Sequence, residues 1–187
     1  MTSKRRRAPE GGASDRVADR IALRHLRAEN VFELVHPPCA RARADDIEEV
    51  RKMLDAGEID IAEDELRWLL AGCGEFVEAH RLLGEIAMSE GDAALARGHF
   101  GYAFQIVTTA LPKQGLPRPL PYCRKANRPF FEAGKGLVWA LQQLGDTNLA
   151  AETVQQLLRL DPSDPLELRK MLDSGRPTAE GKNERQK

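Results

Sequence analysis

The chain has 187 residues, of which 42% are hydrophobic and 30% are charged, a length and composition that suit one globular domain with flanking tails. Its 28 lysines and arginines nearly balance its 29 aspartates and glutamates, which argues against a protein that binds nucleic acid through overall positive charge. No apolar run reaches the roughly 18 residues of a membrane span, so the sequence predicts no transmembrane helix.

The first part of the chain predicts a polar tail and then a short helix. Residues 1–15 are basic, rich in glycine and poor in apolar side chains, which predicts disorder. They also lack the apolar stretch of a secretory signal, and the cytoplasm is the expected location. Val17, Ile21 and Leu26 follow at roughly helical spacing, which favours a short helix over residues 16–28.

An apolar segment with two prolines covers residues 31–39. Because proline breaks helices and disfavours helix at the residue before it, we expect this segment to dock on the first of the repeats that follow. Residues 16–42 are therefore interpreted as an N-terminal helix and docking segment. Cys39, Cys73 and Cys123 are odd in number and far apart, which predicts no disulfide framework and favours a reducing compartment.

An internal repeat organises the next part of the chain, with a period of about 34 residues, a length that is typical of helical-hairpin repeats. Gly57 and Gly91, each followed by an acid, are separated by one period, and Gly145 follows after a longer interval that includes an insertion. Small and large apolar residues recur at fixed distances from each glycine, at the spacings of three and four that predict helices. Each glycine suits the end of one helix in a helix–turn–helix unit.

The residue types at fixed repeat positions narrow the fold class. The second repeat carries Leu83, Gly84, Ala96, Phe100 and Ala103, and the third carries Leu137, Leu141, Ala150 and Pro162. This pattern resembles the tetratricopeptide repeat (TPR) family. The resemblance implies an all-α fold, a TPR-like helical-hairpin solenoid of about three repeats with an N-terminal extension and a C-terminal capping helix. A generic stack of antiparallel helical hairpins is the alternative.

The resemblance also divides the chain into segments. Repeats 1 and 2 are expected over residues 43–110, and repeat 3 with the capping helix over residues 131–174. Residues 111–130 form an insertion between them, and residues 175–187 are expected to be a disordered tail.

The insertion has a composition of its own. Residues 111–130 hold five prolines, five bases and no acid, which predicts an extended, partly polyproline loop that is separable from the fold. Bases interleaved with aromatics are typical of single-strand nucleic-acid binders. The candidates for such a basic loop are Arg118, Tyr122, Arg124, Lys125 and Arg128. A loop that packs its aromatics inward and solvates its bases is the other interpretation.

Motifs for catalysis and metal binding are missing from the sequence. It has no phosphate-binding glycine loop, no Gly-x-Ser-x-Gly elbow and no His-Glu-x-x-His, so we expect no enzyme activity and no cofactor. No pair of candidate ligands has the Cys-x-x-Cys spacing of a structural zinc site, so we expect no metal. The candidates considered are His36, Cys39, Cys73, His80, His99 and Cys123.

The resemblance implies a function as well. TPR domains bind peptides or proteins in a concave groove lined by the first helix of each repeat, which implies a non-catalytic adaptor or scaffold here. By repeat position, the lining residues would be Ile47, Arg51, Leu54, Arg81, Glu85, Met88, Lys135, Trp139 and Gln142. Three bases beside three large apolar side chains favour a protein or peptide partner with acidic and apolar character.

Two alternatives stay open at this point. Trp139 can equally be a core residue rather than a groove residue. The alternative function is a nucleic-acid-associated protein that uses the basic N-terminal tail and residues 111–130. No membrane partner is expected.

Overall fold

The computed structural model describes residues 20–174 of the chain. Eight helices and one two-stranded sheet make up this part, and 63% of it is helical. The sequence prediction of a mostly helical chain is therefore confirmed, with one small sheet added. The disorder predicted for residues 1–15 and 175–187 concerns segments outside the described residues.

The described chain begins with a β-hairpin where the sequence predicted a helix. Strand β1 (Ala22–Leu26) pairs antiparallel with strand β2 (Val31–Val35). Asn30 closes the turn with a φ of 56°, a left-handed conformation that asparagine tolerates. The helix predicted over residues 16–28 is therefore wrong for the described part, because the β-branched and aromatic residues of β2 give β1 a strand partner.

Three pairs of helices follow the hairpin. Helix α1 (Pro38–Arg41) is a single turn. Helix α2 (Ala44–Asp55) pairs with α3 (Ile59–Gly72), α4 (Val77–Ser89) with α5 (Ala93–Ala110), and α6 (Arg128–Gln143) with α7 (Thr147–Leu160). Helix α8 (Leu168–Ser174) follows the last pair. Gly57, Gly91 and Gly145 lie in the three short turns with φ values of 78°, 82° and 80°. The repeat thus placed the turns correctly.

The core consists of two clusters of buried side chains that meet at α4. One cluster surrounds α2 and α3 and includes Val50, while the other joins the hairpin to α5, α6 and α7 and includes Phe100 and Leu157. Helix α4 contributes Leu83 to the first cluster and Val77 to the second. Nine of its thirteen residues are buried, so α4 is the central helix of the described part.

The ring of Phe100 fills a space that two glycines leave open. A Cβ atom at Gly84 of α4 would lie 2.6 Å from the ring, and one at Gly136 of α6 would lie 2.5 Å from it. Both distances are shorter than any real contact, so only glycine lets α4 and α6 approach α5 this closely. Ala96, which the repeat placed between two helices, is fully buried.

The insertion is an ordered part of the core. The backbone N–H of Leu120 donates to the carbonyl of Leu160 over 2.9 Å, and the side chain of Leu120 is 0% exposed. Residues 112–127 are not helical, as expected, and α6 begins at Arg128. The prediction that residues 111–130 are separable is wrong, because composition does not show that one leucine among the prolines faces inward.

Asn127 ties the insertion to the hairpin. Its side chain is fully buried, where its Oδ1 accepts from the N–H of Leu34 over 2.8 Å and its Nδ2 donates to the carbonyls of Phe32 and Pro121. Leu34 itself lies in the larger core cluster. The segment over residues 31–39 therefore docks on the insertion through Phe32 and Leu34, in addition to the contact of Cys39 with the first repeat.

A disulfide joins Cys39 to Cys73, with a Cα–Cα distance of 5.7 Å. The prediction that the cysteines are unpaired is wrong, because the pairing of α2 with α3 brings together two positions that are distant in the sequence. Cys123 is exposed and free, which accounts for the odd number. The cysteines therefore no longer support the expectation of a reducing compartment, because two of them form a disulfide.

We expect Gly84→Ala to lower the free energy of unfolding by about 1–3 kcal/mol, because the new methyl group overpacks the ring of Phe100. Urea denaturation measures the change. Gly98→Ala is the matched control, since a Cβ at Gly98 in α5 meets nothing within 4 Å; better helix propensity there should raise stability by up to about 1 kcal/mol. Equal effects of the two changes would contradict the close helix contact.

Removing the disulfide with Cys39→Ser and Cys73→Ser should lower the free energy of unfolding by about 2–4 kcal/mol, because the unfolded chain loses a covalent loop. Thiol titration of the denatured protein should count one free thiol before reduction and three after it. Cys123→Ser is the control and should leave stability unchanged. Three reactive thiols in the unreduced protein would show that the bond is absent.

Candidate functional site

The first helices of the three pairs are connected by ion pairs on one face. Arg81 of α4 donates two hydrogen bonds to Glu78, from Nη2 over 2.7 Å and from Nε over 2.8 Å. Arg51 of α2 reaches Glu78 over 2.5 Å, and Arg81 lies 3.4 Å from Glu132 of α6. We term the surface formed by Arg51, Glu78, Arg81, Glu85, Glu132, Lys135 and Trp139 the first-helix face.

Glu78 and Arg81 are the buried centre of this network, at 7% and 8% exposure. Burial alone would raise the pKa of Glu78, but hydrogen bonds and charge from Arg81 and Arg51 outweigh burial and hold that pKa below its ordinary value. Burial alone would lower the pKa of Arg81, yet its carboxylate partners raise it further above its ordinary value. Both groups are therefore charged at neutral pH, and each neutralises the other.

Glu85 is the exposed acid at the rim of the network, and its charged form is less favoured than that of Glu78. Glu85 also pairs with Arg81, but burial raises its pKa, the charges of Glu78 and Glu132 add to that rise, and Arg81 offsets only part of it. Glu132 accepts a hydrogen bond over 2.9 Å from the hydroxyl of Tyr122. The insertion thereby joins the network through its one tyrosine.

Several residues expected to line the groove have structural roles instead. Ile47 is 4% exposed and belongs to the smaller core cluster, so it offers a partner in the groove almost no surface. Leu54 and Met88 are half-buried and pack against the two clusters. Gln142 donates a hydrogen bond over 2.7 Å to the carbonyl of Met171 in α8.

Acidic side chains of the same chain neutralise two of the three bases that were expected to line the groove. Arg51 pairs with Glu48 and Glu78, and Arg81 pairs with three acids. Only Lys135 among the three predicted bases forms no ion pair with a described residue. Arg51 and Arg81 therefore already have acidic partners within the chain, and the preference for an acidic partner stays a prediction.

Trp139 is accessible. Its side chain is 57% exposed, and it lies on α6 one turn beyond Lys135, on the helix face opposite the buried Leu137 and Leu141. Of the two alternatives for Trp139, a core position is therefore excluded, and the residue lies on the surface. Glu85, Lys135 and Trp139 are the predicted residues that remain available to a partner.

A cleft of about 460 Å³ opens beside the first-helix face. We term it the hairpin cleft, because the β-hairpin, α1, the start of α2 and α4, and residues 125–129 enclose it. Its apolar floor includes Leu34, Ala40, Ile47 and Phe76, all buried. Its volume lies within the range of about 300–1,000 Å³ that is usual for ligand sites.

The charges around the hairpin cleft are unevenly matched. Arg24 pairs with Glu33 over 2.5 Å, and Arg51 is held by its two acids. Arg41 of α1 and Lys125 of the insertion are exposed, and their side chains form no ion pair or hydrogen bond with a described residue. The residues that line the cleft are therefore four bases and three acids, and Arg41 and Lys125 are the two bases, on different elements, that have no acidic partner among the described residues.

His36 adds a neutral donor or acceptor to the cleft. One ring nitrogen, Nε2, lies 2.7 Å from the carbonyl of Ala126. Burial lowers the pKa of His36, and the charge of Arg41 acts in the same direction. The imidazole is therefore uncharged at neutral pH and does not supply a third positive charge.

The basic loop does not present its aromatics to solvent for stacking. The ring of Tyr122 meets Phe131 edge-on at 6.2 Å, and Arg128 lies over the Tyr122 ring at 5.7 Å. Arg124 forms an ion pair with Glu29. This arrangement matches the interpretation in which the loop packs its aromatics inward, while Arg118 and Lys125 stay exposed.

The six candidate metal ligands do not converge. Cys39 and Cys73 form the disulfide, and Cys123 is far from both in sequence. The Nδ1 atoms of His80 and His99 lie 3.5 Å apart, and burial lowers the pKa of His80 to about 4. Within residues 20–174, no three histidine, cysteine or acidic side chains form a group that can hold a metal.

Sequence analysis missed three residues of this region and assigned a fourth to a different surface. Glu78 and Glu132 have the same spacing as the second and third turn glycines, so the repeat register alone could have found them. Lys125 was predicted as part of a basic loop and Arg41 was not predicted at all. No pattern in the sequence relates these two bases, because only the packing of the insertion on the hairpin brings them to one cleft.

Comparisons with known proteins leave the site to be interpreted from its own geometry. The chain matches no family model and none of the curated proteins. Within the described residues, no helix combines the length and the apolar character that crossing a bilayer requires.

We expect Glu78→Gln to lower the free energy of unfolding by about 3–5 kcal/mol, because it leaves Arg81 buried without its main counter-charge. Chemical denaturation at neutral pH measures the loss. The control is Glu49→Gln, since Glu49 pairs with Lys52 over 2.6 Å on the exposed surface of α2; it should change stability by about 0.5 kcal/mol or less. A small effect at both positions would contradict the central role of the buried pair.

Proposed function

We propose that the protein is a non-catalytic adaptor that binds a protein or peptide segment on the first-helix face, and that its three helix pairs form a TPR-like solenoid with this face on the concave side. The repeat period, the glycine turns and the contact of Phe100 with Gly84 support the TPR-like architecture. The absence of catalytic motifs in the sequence is the reason to expect binding rather than chemistry.

The observation that carries the proposal is the exposure of Trp139 on a face that is otherwise ordered by ion pairs. Tryptophan is enriched among the residues that dominate binding energy at protein interfaces. Trp139 loses little conformational freedom on binding, and its neighbours are held in place by the network around Arg81. A preorganised face of this kind lowers the entropic cost of association.

The size of the face limits the partner to one segment. Three helix pairs are near the minimum that forms a continuous core in repeat proteins, so the face is short. A single helix or extended segment fits it, and interfaces of that size bind at the weak, transient end of the scale. We therefore expect micromolar affinity.

Selection of a random peptide display library on the full-length protein tests the proposal. Selected peptides, synthesised with a fluorescent label, should bind the wild type, and Trp139→Ala should weaken each of them at least tenfold by fluorescence anisotropy. Trp68→Ala is the matched control: Trp68 is 53% exposed on α3, where Arg43 covers its ring at 4.3 Å. Thermal denaturation should show that neither change unfolds the protein.

Two results would overturn the proposal. One is a library that yields no specific peptide, and the other is a set of peptides that binds both variants as tightly as the wild type. Binding to a single-stranded oligonucleotide with a steep loss of affinity at higher salt would instead support the alternative nucleic-acid function, since phosphate contacts release counterions.

A further inference from the structure

We infer that the hairpin cleft is a second, anion-selective subsite that receives an acidic side chain of the partner segment together with an apolar neighbour. This inference rests on the proposed function, because the occupant is part of the same bound segment. It moves the preference for acidic and apolar partners from the groove bases to a cleft that the sequence did not show.

The position of the cleft makes it a continuation of the first-helix face. Arg51 and Glu78 line the cleft and also belong to the face. A segment that crosses α4 can therefore enter the cleft without leaving the surface of the protein. Residues 125–129 and β2 also line the cleft, so one end of the bound segment can contact them.

Charge complementarity identifies the acidic part of the occupant. Every acid that lines the cleft already has a basic partner: Glu33 has Arg24, and both Glu48 and Glu78 have Arg51. Arg41 and Lys125 have no such partner among the described residues. A carboxylate that binds at either base would form charge-assisted contacts that the chain itself does not make.

The floor of the cleft identifies the apolar part. Leu34, Ala40 and Phe76 line the cleft with apolar side chains that are almost fully buried. An apolar side chain next to the acid would remove this surface from water, which favours binding in proportion to the area covered. A small inorganic anion would use only the rim charges and leave the floor unfilled.

Two synthetic peptide mixtures that differ at one position test this inference. Both have leucine, isoleucine or phenylalanine on each side of a central residue, which is Glu in one mixture and Gln in the other. We expect the full-length protein to bind the Glu mixture about tenfold more tightly by fluorescence anisotropy. Raising the salt concentration should reduce that preference, because exposed charges are screened.

Matched variants assign the preference to the cleft. Arg41→Gln and Lys125→Gln should each reduce the Glu-over-Gln preference at least threefold, and both together should abolish it. Lys113→Gln is the control, since Lys113 is an exposed base of the same insertion that does not line the cleft. Because neither Arg41 nor Lys125 contacts a described residue through an ion pair, the variants should keep the melting temperature of the wild type.

The outcomes separate this inference from the proposed function. If library-selected peptides require Trp139 but the Glu preference is absent or survives both cleft changes, the cleft inference is wrong and the adaptor function stands. If peptide binding depends on neither Trp139 nor the cleft, both proposals fail. If inorganic phosphate displaces the Glu mixture at equal concentration whatever the flanking residues, the cleft is a small-anion site and the inference is overturned.

Discussion

The buried ion pair between Glu78 and Arg81 is the constraint on which the arrangement of the helices depends. Helix α4 packs against both core clusters, so its charges lie where an unpaired charge is costly. Glu78 also accepts a hydrogen bond from Arg51 of α2, and the charge of Glu132 of α6 lies 3.4 Å from Nε of Arg81. The three first helices are therefore held in one relative position by the need to keep two buried charges satisfied, in addition to apolar packing.

This constraint also decides which residues remain for binding. Charges that satisfy one another inside the network are poor attractants for a partner, since both would have to be desolvated and re-paired. The proposed partner would use the surface beside the network, where Trp139 is exposed, and the hairpin cleft, where Arg41 and Lys125 have no acidic partner among the described residues. In this proposal the residues that hold the helices together differ from those that bind the partner.

The sequence predicted features that depend on local spacing and missed those that depend on distant contacts. The turns at Gly91 and Gly145 and the burial of Ala96 follow from helical periodicity, which the chain repeats closely. The helix predicted over residues 16–28 is wrong for the described part, because local spacing does not show that β2 lies alongside residues 22–26 and pairs with them. The roles of Cys39 and Asn127 were not predictable, since each depends on a partner in a distant part of the sequence.

The Cys39–Cys73 bridge gives the first helix pair the topology of a ring. The turn at Gly57 connects α2 to α3 at one end of the pair, and the disulfide connects the chain before α2 to the end of α3 at the other. In the solenoid proposed here each helix pair would touch only its neighbours, and such stacks unfold most easily by fraying from an end. With the bridge formed, α2 and α3 cannot separate at their open end, so opening should begin at the opposite end, where the short α8 is the last helix described. Amide hydrogen exchange should therefore reach α8 before it reaches the first helix pair.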